Sequence, residues 1–258
     1  MNTREPPEPE QDTDREMPLI EHLTELRQRL INVIVALLAV FLSLVYFAND
    51  IYSFVAEPLR RFLPEGATMI ATEVASPFLA PFKLTLVVAA MTVMPYVLFQ
   101  AWSFVAPGMY RQEKRFALPL LASSIVLFYC GVAFAYYVVC PMVFSFFTSM
   151  SPAGVTVMTD INHYLSFVLT MFFAFGFAFE IPVATVLLVW AGITTPQALT
   201  AKRPYILVGC FVIGMVLTPP DVFSQTLLAV PMWMLFEVGV LASRWLLATK
   251  ARDDAATG

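Results

Sequence analysis

The sequence predicts an all-α membrane protein, a single domain that crosses the bilayer six times, and three observations carry that expectation. Of 258 residues, 59% are hydrophobic and only 13% are charged, with a mean hydropathy of +0.75; the surface of a soluble domain needs more charge than this. Apolar runs long enough to cross a hydrocarbon core of about 30 Å recur along the chain. Val, Leu, Ile and Phe fill those runs continuously, without the period-two alternation of an outer-membrane barrel.

The runs fall at about 31–48, 82–106, 117–140, 164–190, 205–218 and 226–247. They define a membrane domain over 18–247, preceded by a tail at 1–17 and followed by a C-terminal tail at 248–258. The stretch "MNTREPPEPEQDTDRE" holds six acids and three prolines, the composition of a disordered segment. It lacks the basic start, apolar middle and small-residue cleavage site of a signal peptide. An even number of spans puts both termini on one side. That side collects Arg4, Arg15, Arg27, Arg29, Arg111, Lys114, Arg115, Lys202, Arg203, Arg244, Lys250 and Arg252, against only Arg60, Arg61 and Lys83 opposite. The positive-inside rule then makes both termini cytoplasmic.

The first span is announced by "PLIEHLTELRQRL", in which Leu19, Leu23, Leu26 and Leu30 recur at helical spacing. The helix therefore begins before the membrane and lies partly in the interface. Glu21 and Glu25 share a face, and Glu25 can pair with Arg29 at i,i+4. This is either a solvated juxtamembrane face or a carboxylate site for a cationic ligand. The connection 49–81 opens with "FVAEPLRRFLPEG", a short amphipathic helix stopped by Pro64 and Gly66, and continues with "MIATEVASPFLAPF", an extended piece leading back into the membrane. The loop "SFVAPGMYRQEKRF" sets Glu113 among Arg111, Lys114 and Arg115. It is either topology-setting charge or, beside Glu25, the second of two carboxylates able to take two guanidinium groups.

The third span is expected to end at 140, with a loop over 141–163 that shares the capping of that side with 49–81. The fourth contains Glu180 in "MFFAFGFAFEIPVATVLLVW", with no basic residue in the middle of any span to neutralise it. Intramembrane ionisable residues are functional hypotheses by default. The fifth, Tyr205 to Leu217, lies between Pro204 and "TPPD" and is short for a bilayer, a mismatch relieved by thinning or by protein neighbours. Pro95, Pro182 and Pro231 fall inside spans and bend them, so curved walls are expected. Glu237 sits near the cytoplasmic end of the sixth span, where a carboxylate can snorkel. Thr218, Asp221 and Gln225 are polar residues around the outer turn between the last two spans.

Catalysis finds little support: His22 and His163 fall on opposite sides, and there is no HExxH, GxSxG or P-loop. Cys130, Cys140 and Cys210 have no CxxC spacing and read as small packing residues. A proton-coupled secondary transporter working through Glu180 is a further possibility, weakened by the lack of a clear internal repeat.

Seven stretches carry a resemblance. They are "HLTELRQRL" at 22–30, "YFANDIY" at 46–52, "MIATEVASPF" at 69–78, "FVAPGMYRQEKR" at 104–115, "SFVLTMFFAFGFAFEIPVA" at 166–184, "KRPYILVG" at 202–209 and "LTPPDVFSQTLLAVPM" at 217–232. In their order and spacing they resemble the TatC family, the core subunit of the twin-arginine protein translocase. The resemblance implies a curved, glove-like bundle in the bacterial cytoplasmic membrane. It also implies a receptor for the twin-arginine signal peptides of folded proteins, and movement driven by the proton-motive force. It assigns peptide recognition to Glu25 and Glu113 with Arg27 and Phe104, and outer-cap and outer-turn positions to Pro58, Phe78 and Asp221. Glu180 becomes the acid of the concave face. Met215, Thr218 and Gln225 become the docking region for single-span TatA- and TatB-type partners in an oligomeric complex. No cofactor, metal or nucleic-acid partner is implied.

Overall fold

The structure is a computed structural model, and it describes residues 18–62, 70–105, 114–150, 160–217 and 221–257. The expected acidic tail, Glu113 and Thr218 lie outside the described residues. Among the described residues the fold is helical throughout, with one isolated parallel bridge between Ile70 and Asp160. Five stretches are long and apolar enough to cross a membrane: Leu23–Glu57, Ser76–Phe104, Leu118–Ser149, Ile161–Trp190 and Val222–Ala248. A sixth, Arg203–Leu217, is shorter.

Helix α1 (Pro18–Leu44) begins ahead of the first apolar run, as the leucine spacing predicts. A single 3₁₀ turn, Val45–Phe47, joins it to α2 (Ala48–Phe62), which is strongly amphipathic. Val55 and Ala56 of α2 are buried while Phe54 is exposed. The expected extended piece is not formed: only Ile70 pairs, in the bridge to Asp160. Residues 72–75 bend and turn, with Ser76 N bonded to Glu73 O at 3.1 Å, and α3 (Ser76–Val105) starts at Ser76. Pro81 and Pro95 both lie inside α3.

The third span departs from expectation. Helix α4 (Lys114–Phe134) does not stop near 140 but widens into one π turn, Ala135–Val139, and continues as α5 (Cys140–Ser149). The reason is local: Pro141 follows the widened turn in the first turn of α5, where a missing N–H costs least. The expected outer loop shrinks accordingly.

The fourth span is two helices, α6 (Ile161–Ala178) and α7 (Ile181–Trp190). Pro182 has no N–H to offer the Ala178 carbonyl, and Glu180 N bonds instead to Phe177 O at 3.0 Å, a tightened turn. The chain kinks at Phe179 and Glu180 while both keep right-handed helical dihedrals. A short α8 (Pro196–Ala201) leads to α9 (Arg203–Leu217), whose 15 residues span about 22 Å. Helix α10 (Val222–Thr257) runs through Pro231 and carries on through the segment assigned to a C-terminal tail.

Two seams hold the bundle: α4 lies on α6, and α10 lies on α7 and α9, while α1 packs on α3 and α3 bridges to α4 and α6. Phe128, Leu165, Met171, Phe175 and Leu228 are fully enclosed. Small residues set the approach, as expected where no hydrophobic drive operates between helices in lipid. A Cβ at Gly131 would stand 2.3 Å from the Phe175 carbonyl oxygen, and one at Gly239 would stand 2.8 Å from Pro182 Cα.

Candidate functional site

At the junction of α1 and α3, Arg29 donates from Nε at 2.9 Å and from Nη2 at 2.5 Å, both to Oε1 of Glu25. The i,i+4 spacing read from the sequence makes this pair possible. What the spacing could not reveal is the anchor on α3: Arg29 Nη1 donates to Gln100 Oε1 at 2.7 Å, and Nη2 reaches the Ser103 carbonyl at 3.4 Å. Gln100 in turn donates to the Tyr96 hydroxyl at 2.7 Å. Arg29 is 23% exposed and Glu25 38%, so the acid faces solvent more than the base that holds it. Neither of these bonds uses Glu25 Oε2. Phe104 lies one turn beyond Gln100 on α3, half-buried, and Arg27 is exposed on another face of α1. How near Glu113 comes to Glu25 lies outside the described residues.

Glu180 sits at the kink, half-buried. Its Oε1 is enclosed without a hydrogen-bond partner. Ser124 of α4 lies beside the carboxyl, but the Ser124 hydroxyl is likewise enclosed and incomplete. Among the described residues no ion pair includes Glu180. An unpaired buried oxygen of this kind is costly in hydrocarbon. Next to it, Phe173, Phe177, Ile181, Ile213 and Met232 line an apolar groove of about 530 Å³ between the fourth span and helices α9 and α10.

Glu237 does more than snorkel. Arg203, the first residue of α9, donates from Nη2 to its Oε2 at 2.5 Å, clamping α9 to α10. The pair is incomplete, since Arg203 Nε and Glu237 Oε1 are both enclosed without partners. Asp221 caps α10, accepting from Ser224 N at 2.7 Å. Gln225 is turned inward: its Nε2 donates to the Phe211 carbonyl of α9 at 2.9 Å. Met215 is exposed on α9.

At the end of the bundle that holds Asp221, Pro58 lies within α2, and the exposed Phe78 ring packs on Phe82 with centroids 4.8 Å apart. Asp160 is the residue that the sequence reading missed. It caps α6 through Asn162 N at 2.8 Å and His163 N at 3.1 Å. It also accepts from Thr72 N and Thr72 Oγ1, at 3.0 and 2.7 Å. The Thr72 bonds first, then the two cap bonds, hold its carboxyl well below the usual carboxylate range. Asn162 completes the latch by donating to Ser76 Oγ. The available signal was an Asp directly before an apolar helical run, the mark of an N-cap.

Residues 21–231 match the family model described as "Sec-independent protein translocase protein (TatC)". The chain belongs to the TatC family. It is 65% identical over 229 residues to the Sec-independent protein translocase protein TatC of Azotobacter chroococcum mcd 1, covering 89% of this chain and 90% of that one. To the TatC of Escherichia coli K12 it is 60% identical over 228 residues, covering 88% of each. A solved TatC described as a twin-arginine translocase receptor superposes with a TM-score of 0.79 at 36% identity, covering 87% of this chain and 98% of that one. As a TatC-family member with these apolar helices, the chain is a multi-pass membrane protein and a protein translocase subunit.

Proposed function

We propose that this chain is the signal-peptide receptor and assembly core of a twin-arginine translocase in the bacterial inner membrane, with both termini cytoplasmic. The observation that carries this reading is Glu25, a solvent-facing carboxylate held at the α1–α3 junction by Arg29, which is itself tied to Gln100 and Ser103. Glu25 already holds one guanidinium, through a single oxygen. A peptide arginine would be taken by exchange: its planar fork engages the carboxylate, and Arg29 stays tethered by Gln100. A lysine, a point charge, cannot reproduce the fork. Glu113 supplies the second carboxylate, Phe104 the apolar side of the site, and Arg27 its flank.

Met215, Thr218 and Gln225 form the docking region for TatA- and TatB-type subunits, beside the short α9. Glu180 is the polar point on the wall, where an incomplete carboxyl and a short helix favour bilayer thinning. The proton-motive force drives transport, and the chain works within an oligomeric complex. Pro58, Phe78 and Asp221 shape the outer side.

Crosslinking of a twin-arginine peptide to membranes carrying Glu25→Ala together with Glu113→Ala tests the assignment. Capture is expected to fall to background, and undiminished capture would sink it. The unpaired Glu180 oxygen also favours a proton-coupled transporter, which predicts solute uptake by the purified chain in liposomes; the translocase reading predicts none.

A further inference from the structure

An α-helix bonds each N–H to the carbonyl four residues earlier, so a proline inside a helix leaves that carbonyl without its donor. Pro95 frees the Met91 carbonyl in α3, and Pro58 frees the Phe54 carbonyl in α2. Both are taken up by tyrosine hydroxyls of the third span. Tyr129 donates to Met91 O at 2.9 Å, and Tyr136 donates to Phe54 O at 3.0 Å. The two tyrosines are seven residues apart, close to two helical turns, and so share one face. The Tyr136 ring stacks on Phe54 itself, with centroids 5.7 Å apart and planes 11° from parallel. The buried Tyr164 of α6 adds a third hydroxyl, donating to the adjacent Val55 carbonyl at 3.0 Å.

We propose that Tyr129 and Tyr136 are positioning residues that work as pairs with Pro95 and Pro58, replacing the N–H that each proline removes and so fixing each bend at one angle. The consequence for Tyr129 rests on the receptor reading above. Gln100 and Ser103 both follow Pro95 on α3, so the angle at Pro95 decides where they meet Arg29 and, through it, Glu25. Tyr136 does the same for α2, the helix that carries Pro58. Inside a span the carbonyl freed by Pro95 has no water to turn to, which makes a protein hydroxyl the available substitute; at Phe54 the Tyr136 hydroxyl is held by ring stacking instead.

The test is a pair of double-mutant cycles in the full chain. In membranes, Tyr129→Phe is expected to lower twin-arginine peptide capture roughly three- to fifteen-fold, the range of a single interhelical hydrogen bond. In a Pro95→Ala background, the substituted residue supplies the missing N–H, and Tyr129→Phe has no further effect. Photocrosslinkers at Ala101 on α3 and Gln28 on α1 add a positional readout. Tyr129→Phe lowers the yield from position 101 relative to position 28, whereas a general loss of stability lowers both alike. An equal effect of Tyr129→Phe in both backgrounds overturns the pairing, as does no effect in either. Thermal midpoints of the purified chain in detergent give the same cycle for both pairs, independent of peptide. If the unsubstituted chain captures no peptide, the receptor reading fails while the midpoints still decide the pairing.

Discussion

Gly131→Ala is the sharpest test of how the bundle is held. The added methyl carbon would stand 2.3 Å from the Phe175 carbonyl oxygen, 2.8 Å from its carbonyl carbon and 3.0 Å from Phe179 Cγ. Ordinary contact begins at about 3.4 Å, so α4 and α6 must part by about 1 Å, and backbone rather than a flexible side chain stands in the way. Overpacking of this kind costs about 1–3 kcal/mol. At roughly 2–4 °C per kcal/mol for a chain of this size, the thermal midpoint in detergent falls by about 2–12 °C. Gly209→Ala is the matched control, with nothing within 4 Å of the new methyl group. It gains helix propensity of up to about 1 kcal/mol and leaves the midpoint unchanged or raised. A Gly131→Ala midpoint equal to that of Gly209→Ala would refute the packing argument.

Three further predictions follow from the site. Arg29→Gln removes the guanidinium that ties Glu25 to Gln100 and Ser103; an i,i+4 pair is worth about 0.3–0.5 kcal/mol, so peptide capture falls about twofold, and a rise would mean that Arg29 only competes for Glu25 rather than holding it in place. Glu237→Gln leaves Arg203 partly enclosed without its partner and costs about 1–3 kcal/mol of stability, whereas Glu237→Leu with Arg203→Met costs less; the reverse order in a denaturation series would contradict the clamp. Because the folded Asp160 carboxyl titrates below its unfolded value, its stabilisation is present above about pH 4 and is lost as pH falls through the lower folded value. Asp160→Asn therefore lowers the thermal midpoint at pH 7 and flattens its decline below pH 4; an acid decline identical to that of the unsubstituted chain would remove Asp160 as its cause.

Much of this fold was legible because lipid imposes long apolar runs, and each of the six runs falls on one of the apolar helical stretches among the described residues, five long and one short. The amphipathic α2 and the Glu25–Arg29 pair were legible for a related reason: both depend on helical spacing alone. The continuation to Ser149 was not, because a proline can close one helix or open the next, and only the widened turn before Pro141 makes it a beginning. The kink at Glu180 was half legible, through Pro182, but the tightened Phe177–Glu180 turn that accompanies it is a backbone adjustment. Gln100, Asp160–Thr72 and Arg203–Glu237 were illegible for one reason. Each joins residues 34 or more positions apart, and a single sequence carries no signal for which distant polar groups will meet.

The central claim is that Glu25 reads a guanidinium by its fork. The most direct measurement is the ratio of captured Arg-Arg to Lys-Lys signal peptide, taken on the unsubstituted chain and on Glu25→Gln in the same membranes. Charge-assisted hydrogen bonds of about 1.5–3 kcal/mol predict a preference of tenfold or more for Arg-Arg in the unsubstituted chain, collapsing towards unity in Glu25→Gln. An Arg-Arg preference that survives Glu25→Gln unchanged would contradict the account.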